Sequence, residues 1–431
     1  MKKLVVNGAK KLIGMQKVQG SKNSCLPIII STILTKGENV LFNCPLISDS
    51  IATCEILNFL GCSTKFENSA LIINTKNLNK TEIPNELMIK MRSSIIFLGA
   101  ILARCKQATV CFPGGCKIGK RPINLHIEAL QKMGAKIKTN GNKIVCTLND
   151  KNFKGTTINL KFPSVGATQT IIIAATTAIG ITKIQNAAIE PEIVELCYFL
   201  KKCGAKITGE GTKTIIVEGI STLQPTQYKI KSDRIVAATL ICAVAATGGE
   251  LFLKSTKPKN LNSILTLLQQ MGCTVHTFND GIFLKASKIL KTNFTIKTQP
   301  YPGFPTDLQP IFMALTSITQ GNTKFIETIF ENRFQHVEQL KKFGAQIQLL
   351  NCHTAIVHGK PSCLHSACVS ATDLRGGAGA LIAALAAPGI STISNLNYIN
   401  RGYENIEQQF KNLGACIFQT QHTEFIPNMK F

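Results

Sequence analysis

A glycine-centred tripeptide returns six times along the chain, as LGC, MGA, CGA, MGC, FGA and LGA, with its glycine at Gly61, Gly134, Gly204, Gly272, Gly344 and Gly414. The intervals are 73, 70, 68, 72 and 70 residues. Before each glycine lies a helical pattern such as IEALQKM or VEQLKKF, and after it a β-rich run such as AKIKT. Each glycine therefore predicts the position just past a helix end, where φ must be positive. A second series runs out of phase: very apolar Ala/Ile/Leu-rich helical patterns end at turns at Gly37, Gln107, Gly180, Gly248, Gly321 and Gly389, each followed by a strand pattern. Two interleaved series of six define six α/β units, each holding one very apolar helix, one amphipathic helix and several strands. Six units over 431 residues divide naturally into two domains of three. The cleft of a two-domain protein is a common place for an active site.

Composition narrows the function. The formal net charge of +24 raises the question of nucleic acid, but the lysines are scattered and no recognition-helix or zinc-finger pattern occurs, so no nucleic-acid partner is expected. The start MKKLVVNGAKK returns to lysine before an apolar run develops, which does not fit a secretory signal. The longest apolar runs stop short of the roughly 18–20 residues of a spanning helix. These features predict a cytoplasmic protein with no membrane partner. The 16 cysteines are spread over helix-like and strand-like segments and read mostly as buried, reduced thiols. The groupings NCH at Cys352 and CLHSAC at Cys363 to Cys368 lack paired CxxC spacing, so no metal and no cofactor is expected. Of 48 basic residues only Arg92, Arg104, Arg121, Arg234, Arg333, Arg375 and Arg401 are arginine. Where lysine is the default cation, arginine marks places that need a planar, bidentate donor.

One stretch concentrates these signals: CFPGGCKIGKRPINLH, Cys111 to His126, sets a cysteine among glycines and cations. Gly114 to Lys120 fits most of a P-loop, yet Arg121 stands where a hydroxyl would bind Mg²⁺, and Pro122 lacks a cradle N–H, which argues against nucleotide hydrolysis.

Together with GSKNSCLP at Gly20 to Pro27, SVGAT at Ser164 to Thr168, EPEIV at Glu190 to Val194, FPTDLQ at Phe304 to Gln309, FENRF at Phe330 to Phe334, ATDLR at Ala371 to Arg375 and NRGYENIE at Asn400 to Glu407, this stretch resembles the UDP-N-acetylglucosamine 1-carboxyvinyltransferases, a branch of the enolpyruvyl transferases. The motifs follow that family's order over essentially the whole chain. The resemblance implies an α/β fold of two inside-out α/β barrels, three repeats each with helices inside. It places residues 1–20 with 231–431 in a C-terminal domain and 21–230 in an N-terminal domain carrying a cysteine lid loop at 113–122. It implies transfer of the enolpyruvyl group of phosphoenolpyruvate to the 3-hydroxyl of UDP-N-acetylglucosamine with release of phosphate, the first committed step of peptidoglycan synthesis, and these two small molecules as the partners.

A metal-free site for a phosphate, a carboxylate and a diphosphate must supply fixed cations. By the resemblance, Lys22, Arg121 and Arg401 hold the phosphoenolpyruvate phosphate, and Arg333 and Arg375 surround its carboxylate. Arg92, the run Arg121, Pro122, Ile123, Asn124 and Leu125, the run Ser164, Val165 and Gly166, and Ile329 go to the nucleotide. Asn23 goes to the sugar and the reaction intermediate. Arg104 and Arg234 are left as structural. The chemistry needs one group to take the hydroxyl proton and one to protonate the methylene carbon. Asp307 is the implied base, with a helix N-cap as its alternative role. Cys116 is the implied proton donor and the site of a covalent adduct; its cationic neighbours favour thiolate. The chain departs from the family at Val236 and Ala238 in DRIVAATL, at Ser24, at Pro310 and at Asn400.

Overall fold

The computed structural model describes residues 2–115, 118–119, 122–150 and 152–421. It divides into two compact units, Gly20–Cys116 with Arg121–Lys231, and Met1–Gln19 with Lys117–Lys120 and Ser232–Phe431.

Each unit is built on three apolar helices. In the first they are α1 (Lys22–Ser31), α2 (Ile96–Cys105) and α3 (Val165–Ala175); in the second, α4 (Arg234–Thr247), α5 (Gln309–Thr316) and α6 (Leu374–Ala386). Their sequences carry almost no charge on any face, and a helix apolar all round is stable only when buried all round. All residues from Ile235 to Ala246 of α4 and from Leu374 to Leu385 of α6 are buried. The three helices of each unit pack on one another, and the sheets surround them. Val236 and Ala238 lie fully buried in this packing. Pro310 falls in the first turn of α5, where its missing N–H costs no helical bond.

Among the described residues there are six separate sheets, five of four strands and one of three, with no ladder joining one sheet to the next. Continuous strand pairing thus closes no barrel among the described residues, and the sheets are held by side-chain packing on the central helices. Five of these sheets are an antiparallel trio plus one strand added in parallel; in three of them the added strand directly precedes the central helix of its repeat, and in two it comes from far along the chain. Gln227–Lys229 pairs in parallel with Glu38–Phe42 and completes the first repeat from the end of its unit. Ile13–Lys17 does the same for Glu250–Lys254. Lys3–Asn7 lies antiparallel between Ile390–Ser394 and Cys416–Thr420, taking the place of a hairpin strand in the last repeat.

The six tripeptide glycines all have positive φ, from +88° at Gly414 to +103° at Gly204 and Gly272. A side chain at each would be strained by its own backbone, which is why the tripeptide recurs. The second series holds at its five glycines, also all at positive φ. At the remaining turn the left-handed residue is Lys106 (φ +69°), not Gln107, and its Nζ donates to Ala103 O at 2.8 Å and Asn152 Oδ1 at 3.0 Å. Those bonds help a non-glycine residue hold the cap.

Candidate active site

Within each unit, several of the residues singled out from the sequence lie at or just before the N-terminal ends of its central helices, where free N–H groups and the helix dipole favour anions. In the first unit, Ser21 caps α1, accepting from Ser24 N at 3.3 Å, and Lys22 follows it. A cation in the first turn opposes the helix dipole, and Lys22 is buried there against Asp49, with Nζ 2.9 Å from Oδ2. Asn23 is half-buried beside it. Ser24 hydrogen-bonds the buried Glu195, whose carboxyl burial pushes up.

Arg92 opens the short turn ahead of α2 and donates from Nη1 to Pro113 O at 3.3 Å. Ser164 caps α3 by accepting from Ala167 N at 3.3 Å, with half-buried Val165 and Gly166 next in line. Gly166 lies against the ring of His126, which a Cβ would meet at 3.1 Å. His126 Nδ1 is 2.9 Å from Thr170 Oγ1, and burial followed by the Arg92 charge lowers its pKa to about 3, so it stays neutral. Pro122 and Asn124 are exposed, Ile123 is buried and Leu125 half-buried at the start of the helix Asn124–Lys132. Cys116 and Arg121 lie outside the described residues. Arg104 donates to Thr35 O at 3.3 Å.

In the second unit the N-terminal ends of α4, α5 and α6 converge on Arg375. Its Nε and Nη2 donate to Asp307 Oδ2 at 3.1 and 2.9 Å. Its guanidinium carbon is 5.5 Å from the Tyr403 ring centre. Burial works against the Arg375 charge, but Asp307, Tyr403 and Asp233 outweigh it and raise its pKa. Arg375 Nη1 is buried with no hydrogen-bond partner among the described residues. Asp307 sits in the single turn Thr306–Leu308, and the N-cap of α5 is Leu308, so Asp307 is not that helix's cap. Arg333 is 1% exposed: Nη1 donates to Asp373 Oδ1 at 3.1 Å, and Nε and Nη2 donate to Thr306 O at 3.3 and 3.2 Å. Asp373 also caps α6, accepting from Arg375 N at 2.9 Å and Gly376 N at 3.2 Å. Burial raises the Asp373 carboxyl, but Arg333, His336 and the two backbone donors prevail and hold it below the ordinary value. Half-buried Ile329 follows the buried Glu327, and half-buried Arg401 lies in the turn after Leu396–Ile399. Ile118 O accepts from Asn332 N at 3.0 Å.

The sequence reading passed over Asp373, Asp49, Glu327 and His126. Asp373 carried a usable signal, an acidic residue directly before an apolar helix. Asp49 and His126 carried none, because their partners Lys22 and Thr170 lie tens of residues away, and the short-range bonds of Glu327 to Ile329 N and Phe330 N leave no residue-type pattern in the sequence.

In the second unit, cations and carboxylates thus meet at the N-terminal ends of three helices, and a sequence comparison gives the class to which the chain belongs. The chain belongs to the family described as EPSP synthase (3-phosphoshikimate 1-carboxyvinyltransferase), whose sequence model matches residues 6–410. Within it, the chain is 44% identical over 417 residues to UDP-N-acetylglucosamine 1-carboxyvinyltransferase 2 of Caldanaerobacter subterraneus subsp. tengcongensis, covering 97% of this chain and 99% of the relative. It is 44% identical to UDP-N-acetylglucosamine 1-carboxyvinyltransferase of Lawsonia intracellularis and 42% to that of Buchnera aphidicola, covering 97% of this chain and 100% of each relative. The enolpyruvyl transferase NikO from Streptomyces tendae shares the fold with a TM-score of 0.86 at 22% identity, covering 97% of this chain and 99% of that one. EPSP synthase from Acinetobacter baumannii follows at 0.75 and 19%, covering 98% and 100%. The chain is an enzyme of the enolpyruvyl transferase fold. No helix among the described residues is long and apolar enough to cross a membrane.

Proposed function

We propose that this enzyme transfers the enolpyruvyl group of phosphoenolpyruvate to the 3-hydroxyl of UDP-N-acetylglucosamine, releasing phosphate, in peptidoglycan synthesis in the cytoplasm. The observation that carries this reading is 44% identity over 97% of the chain to relatives named for that reaction. The family description names a shikimate acceptor, but the EPSP synthase structure is only 19% identical and speaks for the fold alone.

Lys22, Arg121 and Arg401 take the phosphate of phosphoenolpyruvate. Arg375 takes its carboxylate, which its buried Nη1, without a hydrogen-bond partner among the described residues, favours. Arg333, spent on Asp373 and Thr306, supports that end from behind. Asn23, Arg92, Arg121, Pro122, Ile123, Asn124, Leu125, Ser164, Val165, Gly166, Asp307 and Ile329 serve the sugar nucleotide. Asp307 accepts the hydroxyl proton as the hydroxyl oxygen bonds to C2 and Cys116 protonates the methylene carbon; elimination of phosphate, with one proton of the new methyl group returned to the Cys116 thiolate, then restores the double bond.

Phosphate release from phosphoenolpyruvate tests the reading: it should require UDP-N-acetylglucosamine, and shikimate 3-phosphate should not replace it. Release that is indifferent to the nucleotide, or driven by the shikimate, refutes the assignment. The epoxide phosphonate fosfomycin should alkylate Cys116, faster with nucleotide bound, while Cys116→Asp resists it. Peptide mapping checks this, because Cys352 and Cys368 are also exposed. Burial pushes the Cys54, Cys146, Cys197 and Cys203 thiols up to about 12, which keeps them protonated and slow. Arg121→Lys and Arg401→Lys keep the charge but lose the planar fork, and each should weaken phosphoenolpyruvate use by about 2–3 kcal/mol in kcat/KM.

A further inference from the structure

Thr306 opens the turn that carries Asp307, and two fully buried charges hold it. Its carbonyl accepts from the two other Arg333 nitrogens, Nε and Nη2, at 3.3 and 3.2 Å. Its hydroxyl donates to Glu327 Oε2 at 3.0 Å. Arg333 and Glu327 are each 1% exposed. The other Glu327 oxygen accepts from Ile329 N at 2.8 Å and Phe330 N at 3.1 Å. One carboxylate thus ties the turn holding Asp307 to the segment holding Ile329. Burying a carboxylate carries a large desolvation cost, and well-packed apolar residues would often stabilise such a place as well or better. The arrangement is better explained by the geometry it imposes than by stability. Arg375 reaches only the tip of the Asp307 side chain, whereas the bonds to Thr306 fix the backbone from which that side chain springs.

We propose that Glu327 is a positioning residue for the reaction, acting through Thr306 to hold Asp307 in line with the sugar hydroxyl and joining that alignment to the nucleotide contact at Ile329. The inference rests on the reading of Asp307 as base. Misplacement by a fraction of an ångström slows the chemical step without weakening ground-state binding.

Thr306→Val removes the hydroxyl, keeps the side-chain shape and leaves the two backbone donors on Glu327 in place. Its kcat should fall about ten- to thirtyfold. KM for UDP-N-acetylglucosamine should stay within about twofold. Thr306→Ser should restore most of the rate. Glu327→Gln can keep its carbonyl on the backbone donors and offer its amide to the Thr306 oxygen, so it should be faster than Thr306→Val. An unchanged kcat in Thr306→Val, a lower melting temperature with no change in kcat, or a Thr306→Ser enzyme as slow as Thr306→Val would overturn the proposal. Asp307→Asn measured alongside separates the two layers. If it turns over normally, the base reading fails; if it is inactive while Thr306→Val is normal, only the positioning role fails.

Discussion

Asp307→Asn should lower turnover by about 10²–10⁴-fold and at the same time bind phosphoenolpyruvate more tightly. The first effect follows from chemistry, since an amide has no useful affinity for the hydroxyl proton. The second follows from the ion pair. In the structure the Asp307 carboxylate occupies two of the three Arg375 nitrogens, and the third is buried. A substrate carboxylate that takes this guanidinium competes with Asp307, and once Asp307 loses its cationic partner it becomes the stronger base. Linkage is reciprocal: if substrate displaces Asp307 from Arg375, removing the Asp307 charge must favour substrate, by about fivefold or more. Calorimetric titration of phosphoenolpyruvate into nucleotide-saturated protein, with Cys116→Ala in both proteins to prevent an adduct, reads this directly. Equal or weaker binding by Asp307→Asn means that Asp307 and the substrate carboxylate do not compete.

Asp373→Ala should be the most destabilising single change near the site. It strands the fully buried Arg333 charge, a loss of about 3–5 kcal/mol for a broken buried pair, and it uncaps α6, worth about 1 kcal/mol. Asp373→Asn keeps a cap acceptor and should recover only the smaller part. Urea midpoints for the three proteins check the order. The pH dependence has a definite sign. The folded-state pKa of Asp373 is depressed, so its contribution is complete above the unfolded carboxylate value, about 3.9, and disappears as pH falls through the lower folded value. Wild-type stability should therefore fall through that acid window more steeply than that of Asp373→Asn. Parallel curves would show that the Arg333 pair does not carry the stability.

The repeat was legible because it rests on backbone conformation: a left-handed residue after a helix selects glycine wherever the fold recurs. It failed at Lys106, where side-chain bonds support a lysine in that conformation. The apolar central helices were legible for a similar reason, since nothing but burial explains a helix with no polar face. The added parallel strands were not. Gln227–Lys229 is three residues long with a polar pattern, and its partner Glu38–Phe42 lies nearly two hundred residues away. At the site, sequence pointed to the residue types that meet anions but not to the buried pairs behind them. Arg333 and Arg375 sit in equally persuasive motifs, yet all three nitrogens of one are engaged by Asp373 and Thr306 while Nη1 of the other meets no hydrogen-bond partner among the described residues. That difference depends on a few ångströms between elements distant in sequence.

The strands Lys3–Asn7 and Ile13–Lys17 have a further consequence, for the order in which the molecule is made. Their partners are Glu250–Lys254, Ile390–Ser394 and Cys416–Thr420. At about 5–20 residues per second, a ribosome delivers the last of these tens of seconds after the first strand has emerged. The unit of Gly20–Cys116 with Arg121–Lys231 carries its own closing strand, Gln227–Lys229, and can finish its sheets while synthesis continues. The strands Lys3–Asn7 and Ile13–Lys17 cannot: they leave the ribosome well before their partners, are among the last to be seated, and until then trail the growing chain as two unpaired β-edges.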